Sequence, residues 1–252
     1  MKEIYFAGGR RHLSPAELEF EKTYAGITEA LRAYSDEEKR IVLPRFFKTG
    51  KGEYGEGDKF IGVVVPNTRK VAKEHSTVSW DVIDALLESE WHECRLCALL
   101  ILVEKFKKEP EHTVRFYLEH TKGINNWDLV DLSAPYILGR HLVGNEDRSV
   151  LYELAVSSIM WEQRIAVVST LALIRDNQFD DTMKLAGMFM DTKHDLMQKA
   201  VGWMLREVGK RDETLLRNFL DEHCTEMPRT MLRYAIEKLP PDLRTHYMRR
   251  PR

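Results

Sequence analysis

The sequence predicts an all-α protein, built as a stack of helix pairs. Three observations carry this expectation. Apolar residues recur at spacings of three and four along almost the whole chain, the signature of helices with a buried stripe. Glycine and proline are scarce, 14 and 9 in 252 residues, while charged residues reach 31%, which suits a soluble, helix-rich chain. Five polar residues, Arg95, Asp131, Arg164, Lys199 and Arg233, follow one another at steps of 36, 33, 35 and 34, each near the start of an apolar run. A period in the mid-thirties marks repeated helix pairs, and equivalent positions in such a stack line up along one face.

The elements follow in order. Ser14-Pro15-Ala16-Glu17 reads as a helix start, with Ser14 as N-cap, Pro15 in the first turn and Glu17 closing a capping box. This helix runs to about Tyr34. Ser35-Asp36-Glu37-Glu38 opens a second, ending near Lys48. The stretch Gly50–Asp58 holds a literal GxGxxG, but no strand precedes it and no Walker lysine-serine pair follows. Its acids Glu53, Glu56 and Asp58 would repel a phosphate, so it reads as a surface loop. Ile61 to Val65, closed by Pro66, is the only strand candidate and is too short to support a sheet. Helices are then expected at about 67–75, 80–89, 91–107, 111–120, 126–141, 147–157, 161–176, 180–190, 194–210, 212–222 and 229–238.

The second helices of successive pairs look alike. In Trp91–Leu99, Met160–Val168 and Asp195–Trp203 a short polar lead-in ends in a cation and an apolar run follows. The pattern is similar to HEAT and armadillo units and predicts a right-handed α-solenoid. We read residues 1–252 as one repeat domain: N-terminal helices 1–48, a glycine-rich loop 49–59, repeats from about 60 to 240, and a basic tail 241–252 that includes Arg249-Arg250-Pro251-Arg252.

The formal charge of −2 means that any polyanion-binding face arises from segregation of charge, not from excess. Three cysteines, no signal-like N-terminal segment and no apolar run near the ~20 residues of a membrane span point to a reducing, cytoplasmic setting. Cys94-x-x-Cys97 with His92 is half a metal site at most, because no second CxxC or HxxxH exists. Neither a metal nor another cofactor is expected. GxSxG, HExxH and Walker A motifs are absent.

One constellation remains. Trp127 and Asp131 are four apart, so on a helix they share a face, and an indole face beside a carboxylate stabilises a cation. Trp203 stands four residues after Lys199. Arg95, Arg164, Lys199 and Arg233 offer phosphate contacts, best at arginine with its planar fork of donors. The plainer alternatives are core tryptophans and a ladder of salt bridges between repeats, and the residues alone leave these open.

The segments Asn126–Asp131, Trp161–Ala166 and Gln198–Glu207 resemble signatures of the AlkD-like DNA alkylation repair proteins, in order and in separation, over about Pro44 to Ile236. The resemblance implies a HEAT-like solenoid that grips duplex DNA and excises positively charged N3- and N7-alkylated purines without drawing the base into a pocket. It implies that Trp127 and Trp203 contact the deoxyribose, that Asp131 stabilises the developing oxocarbenium ion and positions water, and that Arg164 holds a backbone phosphate. Phe46 stands where the family carries a tyrosine in the N-terminal helix, and Gly50–Asp58 looks like an insertion. The partner expected is duplex DNA containing alkylated bases, bound by a monomer. The alternative is a non-catalytic HEAT-like module that binds nucleic acid or protein.

Overall fold

The computed structural model describes residues 14–249. Among them are fifteen α-helices and one 3-10 turn. Among the described residues no strand forms, and the single β-type feature is an isolated bridge between Lys59 and Trp91. The chain divides into two compact units, Met1–Ile101 and Leu102–Arg252. The N-terminal segment Met1–Gly9 and the last residues Arg250-Pro251-Arg252 lie outside the described residues.

In the first unit, α1 (Pro15–Arg32) starts with the capping box expected from the sequence. The Ser14 hydroxyl accepts from the Glu17 amide, and the Glu17 carboxylate accepts from the Ser14 amide. Asp36 caps α2 (Glu37–Phe46) by accepting from the Lys39 amide at 2.8 Å. α2 buries none of its residues. The glycine-rich stretch then folds as turns whose acids occupy the amides a phosphate would need. Glu53 accepts from Gly50 N–H at 2.9 Å and Glu56 from Gly52 N–H at 2.8 Å.

The strand candidate at 61–65 is not a strand. The amides of Ile61, Gly62 and Val63 all donate to the carboxylate of Glu93, at 2.9, 2.8 and 3.0 Å. Glu93 is buried, and three amide donors satisfy a charge that would otherwise be costly to bury. Gly62 carries φ +93°, and a Cβ there would lie 2.5 Å from the Asp36 carbonyl, so only glycine fits. Pro66 does not close a strand but sits in the first turn of α3 (Val65–Glu74), where its missing N–H costs nothing. α4 (Trp80–Leu87) buries Val82, Ile83, Leu86 and Leu87, and α5 spans His92–Phe106.

The second unit contains α6 (Pro110–Glu119), α7 (Trp127–Asp131), α8 (Leu138–Leu142), α9 (Ser149–Ala155), α10 (Met160–Arg175), α11 (Asp180–Met188), α12 (Asp195–Gly209), α13 (Glu213–His223), α14 (Arg229–Ala235) and α15 (Pro241–Arg249). Its spine is α10, buried without interruption from Arg164 to Ile174. α10 packs on α7, α8, α9, α11 and α12, and α12 in turn packs on α14. Gly202 makes that last approach possible, since a Cβ there would meet the Met231 carbonyl at 2.4 Å.

Two expectations are corrected in this unit. The single helix at 126–141 is two short ones, α7 and α8. Pro135 lacks an N–H and its ring clashes with the carbonyl four residues back; that residue is Asp131, where α7 ends. Residues 241–249 of the expected tail form α15, with Pro241 in its first position and Tyr247 buried. Pro241 thus serves as a helix start.

Candidate functional site

The row of five polar residues keeps a common register. Asp131, Arg164, Lys199 and Arg233 are each the fifth residue of their helix, α7, α10, α12 and α14, and Arg95 is the fourth of α5. Each therefore sits about one turn into its helix, which in the five-residue α7 makes Asp131 the last residue.

Asp131 and Arg164 meet directly. Arg164 Nε donates to Asp131 Oδ1 at 3.0 Å and Nη2 to Oδ2 at 2.9 Å, a two-pronged pair, while Nη1 donates to the Leu196 carbonyl at 2.6 Å. One guanidinium thus ties α7 and the first turn of α12 to α10. The Arg164 side chain is 5% exposed and that of Asp131 17%, so the carboxylate keeps an open edge while its partner is enclosed. Burial pushes the Asp131 carboxyl above the usual carboxylate range, against the opposing pull of Arg164's charge and hydrogen bonds. Such a group is poised: fixed in place and poorly solvated.

The local sequence holds this geometry. Buried Asn126 caps α7, its side-chain oxygen accepting from the Trp127 amide at 2.8 Å. That sets Trp127, half-buried, one turn before Asp131 on a five-residue helix. Behind the turn, Ser133 donates to the Leu129 carbonyl at 2.6 Å and shares a 2.9 Å hydrogen bond with the buried Tyr117 hydroxyl. On α12, Lys199 lies 2.6 Å from Asp195. Half-buried Trp203 donates its indole N–H to Glu207 at 3.2 Å.

Phosphate contacts were expected at Arg95 and Arg164, and the structure places both differently. Arg95, in the first unit, is buried; it donates to Asp58 at 2.7 Å and to the Ser89 carbonyl at 2.6 Å. Arg164 is committed to Asp131 and Leu196 in the same manner. Both guanidiniums are enclosed by the protein and turned to protein acceptors. Arg233 is exposed and lines a cleft with Arg244 and Arg249. Phe46, in the first unit, is 59% exposed and lies edge-on to Phe47, with ring centroids 5.1 Å apart.

Sequence reasoning missed the Leu196 carbonyl, which no side-chain pattern can reveal, and His194, the N-cap of α12. Burial lowers the pKa of His194, and Arg164's charge lowers it further against Asp195. Cys94 and Cys97 are free, buried thiols, both pushed up chiefly by burial. Among the described residues no three His, Cys, Asp or Glu side chains cluster to hold a metal ion, and no helix is long and apolar enough to cross a membrane.

A carboxylate held from behind by arginine, with an indole on its own helix, is an arrangement that in its ionised form stabilises a cation presented to its open edge. The class defined so far is an all-helical protein whose successive second helices present one polar residue each, at a common register, with such a carboxylate among them. Comparison with known proteins narrows this class. The model of the DNA alkylation repair enzyme family matches residues 27–239, and the chain belongs to that family. The solved structure of a predicted DNA alkylation repair enzyme from Enterococcus faecalis superposes with a TM-score of 0.67 at 18% identity, over 82% of this chain and 97% of that one. At that identity the likeness speaks for the fold. No curated protein matches the chain in sequence.

Proposed function

We propose that the protein is a DNA glycosylase that hydrolyses the N-glycosidic bond of positively charged N3- or N7-alkylated purines in duplex DNA. The observation that carries this reading is Asp131: a carboxylate on the same short helix as Trp127, locked by Arg164, with one edge open. Family membership supports it by pointing to alkylation repair.

The chemistry follows from charge. A cationic alkylpurine leaves with the electron pair of the C1′–N bond and becomes neutral, so no general acid is needed. Positive charge passes to the deoxyribose, water adds at C1′, and one proton is released. The protein must stabilise that sugar cation. Asp131 supplies a preorganised negative charge for it, as carboxylates do for the related transition state of glycoside hydrolysis. Trp127 and Trp203 add cation–π stabilisation of about 0.5–2 kcal/mol each. Arg164 is a positioning residue that fixes the carboxylate. Lys199 and Arg233 are assigned to the DNA backbone, and the exposed ring of Phe46 to the duplex surface. In this reading the stacking of α10, α12 and α14 belongs to a right-handed solenoid of HEAT-like repeats, acting as a monomer without a cofactor in the cytoplasm.

A second reading has one observation in its favour. A two-pronged Asp131–Arg164 pair is also what a structural ion pair between repeats looks like, as at Asp58–Arg95. On that reading the protein is a non-catalytic binding module. Incubation with a duplex carrying a single N7-methylguanine separates the two. Release of free base above the spontaneous rate supports the glycosylase. Salt-sensitive binding without release supports the module.

A further inference from the structure

A second cationic feature lies beyond the row, in the part of the chain that reads as a tail. α14 and α15 enclose an open cleft of about 460 Å³. Arg233 reaches it from α14, and Arg244 and Arg249 from α15. None of these three has an ion pair or side-chain hydrogen bond among the described residues. Four other arginines of the same unit are ion-paired: Arg148 with Asp181, Arg164 with Asp131, Arg206 with Glu237 and Arg217 with Glu213. Glu237 is the one acid lining the cleft, and its carboxylate is already engaged by Arg206 and Lys238. The lining therefore carries two net positive charges in a chain whose formal net charge is −2.

The cleft is braced. Tyr247 anchors α15 in the core, and Arg229 of α14 donates to the Met248 carbonyl of α15 at 3.0 Å. Three exposed arginines lining one cleft repel one another, which an anion relieves, and their planar forks match phosphate oxygens. α10 packs on α12 and α12 on α14, so the cleft lies two helix packings beyond α10, which carries Arg164.

We propose that the α14–α15 cleft is a phosphate anchor for duplex DNA, in which Arg244 and Arg249 join Arg233 on the backbone away from the Asp131–Arg164 pair. This rests on the reading of duplex DNA as the partner. It adds a site that sets register and affinity, separate from the cation-stabilising centre.

The test is the salt dependence of binding to an undamaged duplex, read by fluorescence anisotropy between 50 and 200 mM salt. Each phosphate contact contributes about 0.9 to the slope of log K against log salt. The Arg244→Gln/Arg249→Gln double variant is expected to lose about 1.8 from that slope. Over the fourfold salt range the full-length wild type should then lose about 12-fold more affinity than the variant. The Arg244→Lys/Arg249→Lys variant, which keeps the charges, should restore the slope. Arg115→Gln, which removes an exposed charge on α6, should leave it unchanged. The proposal is overturned by an unchanged slope in a Gln variant with the wild-type melting temperature, or by an equal loss per charge at Arg115. Wild type that shows no duplex binding overturns both this proposal and the glycosylase reading. Wild type that binds with the expected slopes and releases no alkylated base overturns only the latter.

Discussion

Removing Arg164 tests the geometry of the site most severely. Arg164→Ala takes away two donors from Asp131 and one from the Leu196 carbonyl. Deleting one member of a buried ion pair costs about 3–5 kcal/mol, because the other charge is left uncompensated. Asp131 retains an open edge through which water can reach it, so the expected cost lies at the lower end, about 3 kcal/mol. For a chain of this size each kcal/mol lowers the melting temperature by about 2–4 °C, giving a fall of about 6–12 °C by thermal unfolding at neutral pH. The pH dependence has a definite sign. Burial holds the folded Asp131 pKa above its unfolded value, and Arg164 opposes that rise. Without Arg164 the folded pKa climbs further, so the acid limb of any Asp131-dependent activity moves to higher pH. A carboxyl with a raised folded pKa favours folding most when protonated, and that contribution is lost as pH rises through the folded pKa. The stability gap between Arg164→Ala and wild type should therefore narrow in acid and widen towards neutrality. Arg164→Lys restores charge without the fork and should recover only part of the loss. A melting temperature within 2 °C of wild type, together with an unmoved acid limb, would refute the reasoning.

Three further outcomes are expected. Gly202→Ala forces a methyl against the Met231 carbonyl and should cost at least the ~1–3 kcal/mol of core overpacking, with a shift in Trp203 fluorescence as α12 and α14 separate; an unchanged spectrum and melting temperature would count against the close approach. Glu93→Gln keeps the shape but removes the charge that three amides point at; a loss of about 1.5–3 kcal/mol and faster hydrogen exchange at Ile61, Gly62 and Val63 are expected, and unaltered exchange there would contradict the assignment. Asp181 resists the effect of burial through hydrogen bonds from Tyr152 and Arg148, which leave its pKa depressed; its contribution to stability is present above the unfolded pKa and should disappear as pH falls through the folded pKa, a loss that Asp181→Asn abolishes in acid-unfolding curves.

Much of the helical plan was legible because its signals are local. Ser14 and Glu17 announce a cap, and the apolar stripe of residues 165–174 announces a helix buried on nearly every side. The errors share a physical cause, since each turns on a proline whose effect depends on its place. Pro66 and Pro241 begin helices, whereas Pro135 ends one and thereby leaves Asp131 at the terminus of α7. The extended segment 61–63 has strand-like composition, but its amides are claimed by a glutamate some thirty residues away, and no local pattern reports that. For the site, the steps of 33 to 36 residues placed Asp131, Arg164, Lys199 and Arg233 at equivalent helix positions. Periodicity does not say which neighbours along such a row pair with one another. That depends on side-chain reach, which sets Arg164 on Asp131 and Arg95 on Asp58. The sequence singles out Arg249 only as part of a basic tail and gives no sign of Arg244, because the helix α15 that brings both to one cleft carries no strong apolar stripe.

The central claim is that the Asp131 charge stabilises the sugar cation, and the most direct test is single-turnover release of N7-methylguanine from duplex DNA by Asp131→Asn at saturating protein. The substitution preserves size and removes the charge. With duplex binding retained, release should fall at least ~100-fold, the scale for loss of one preorganised electrostatic partner. Release at the wild-type rate would contradict the account.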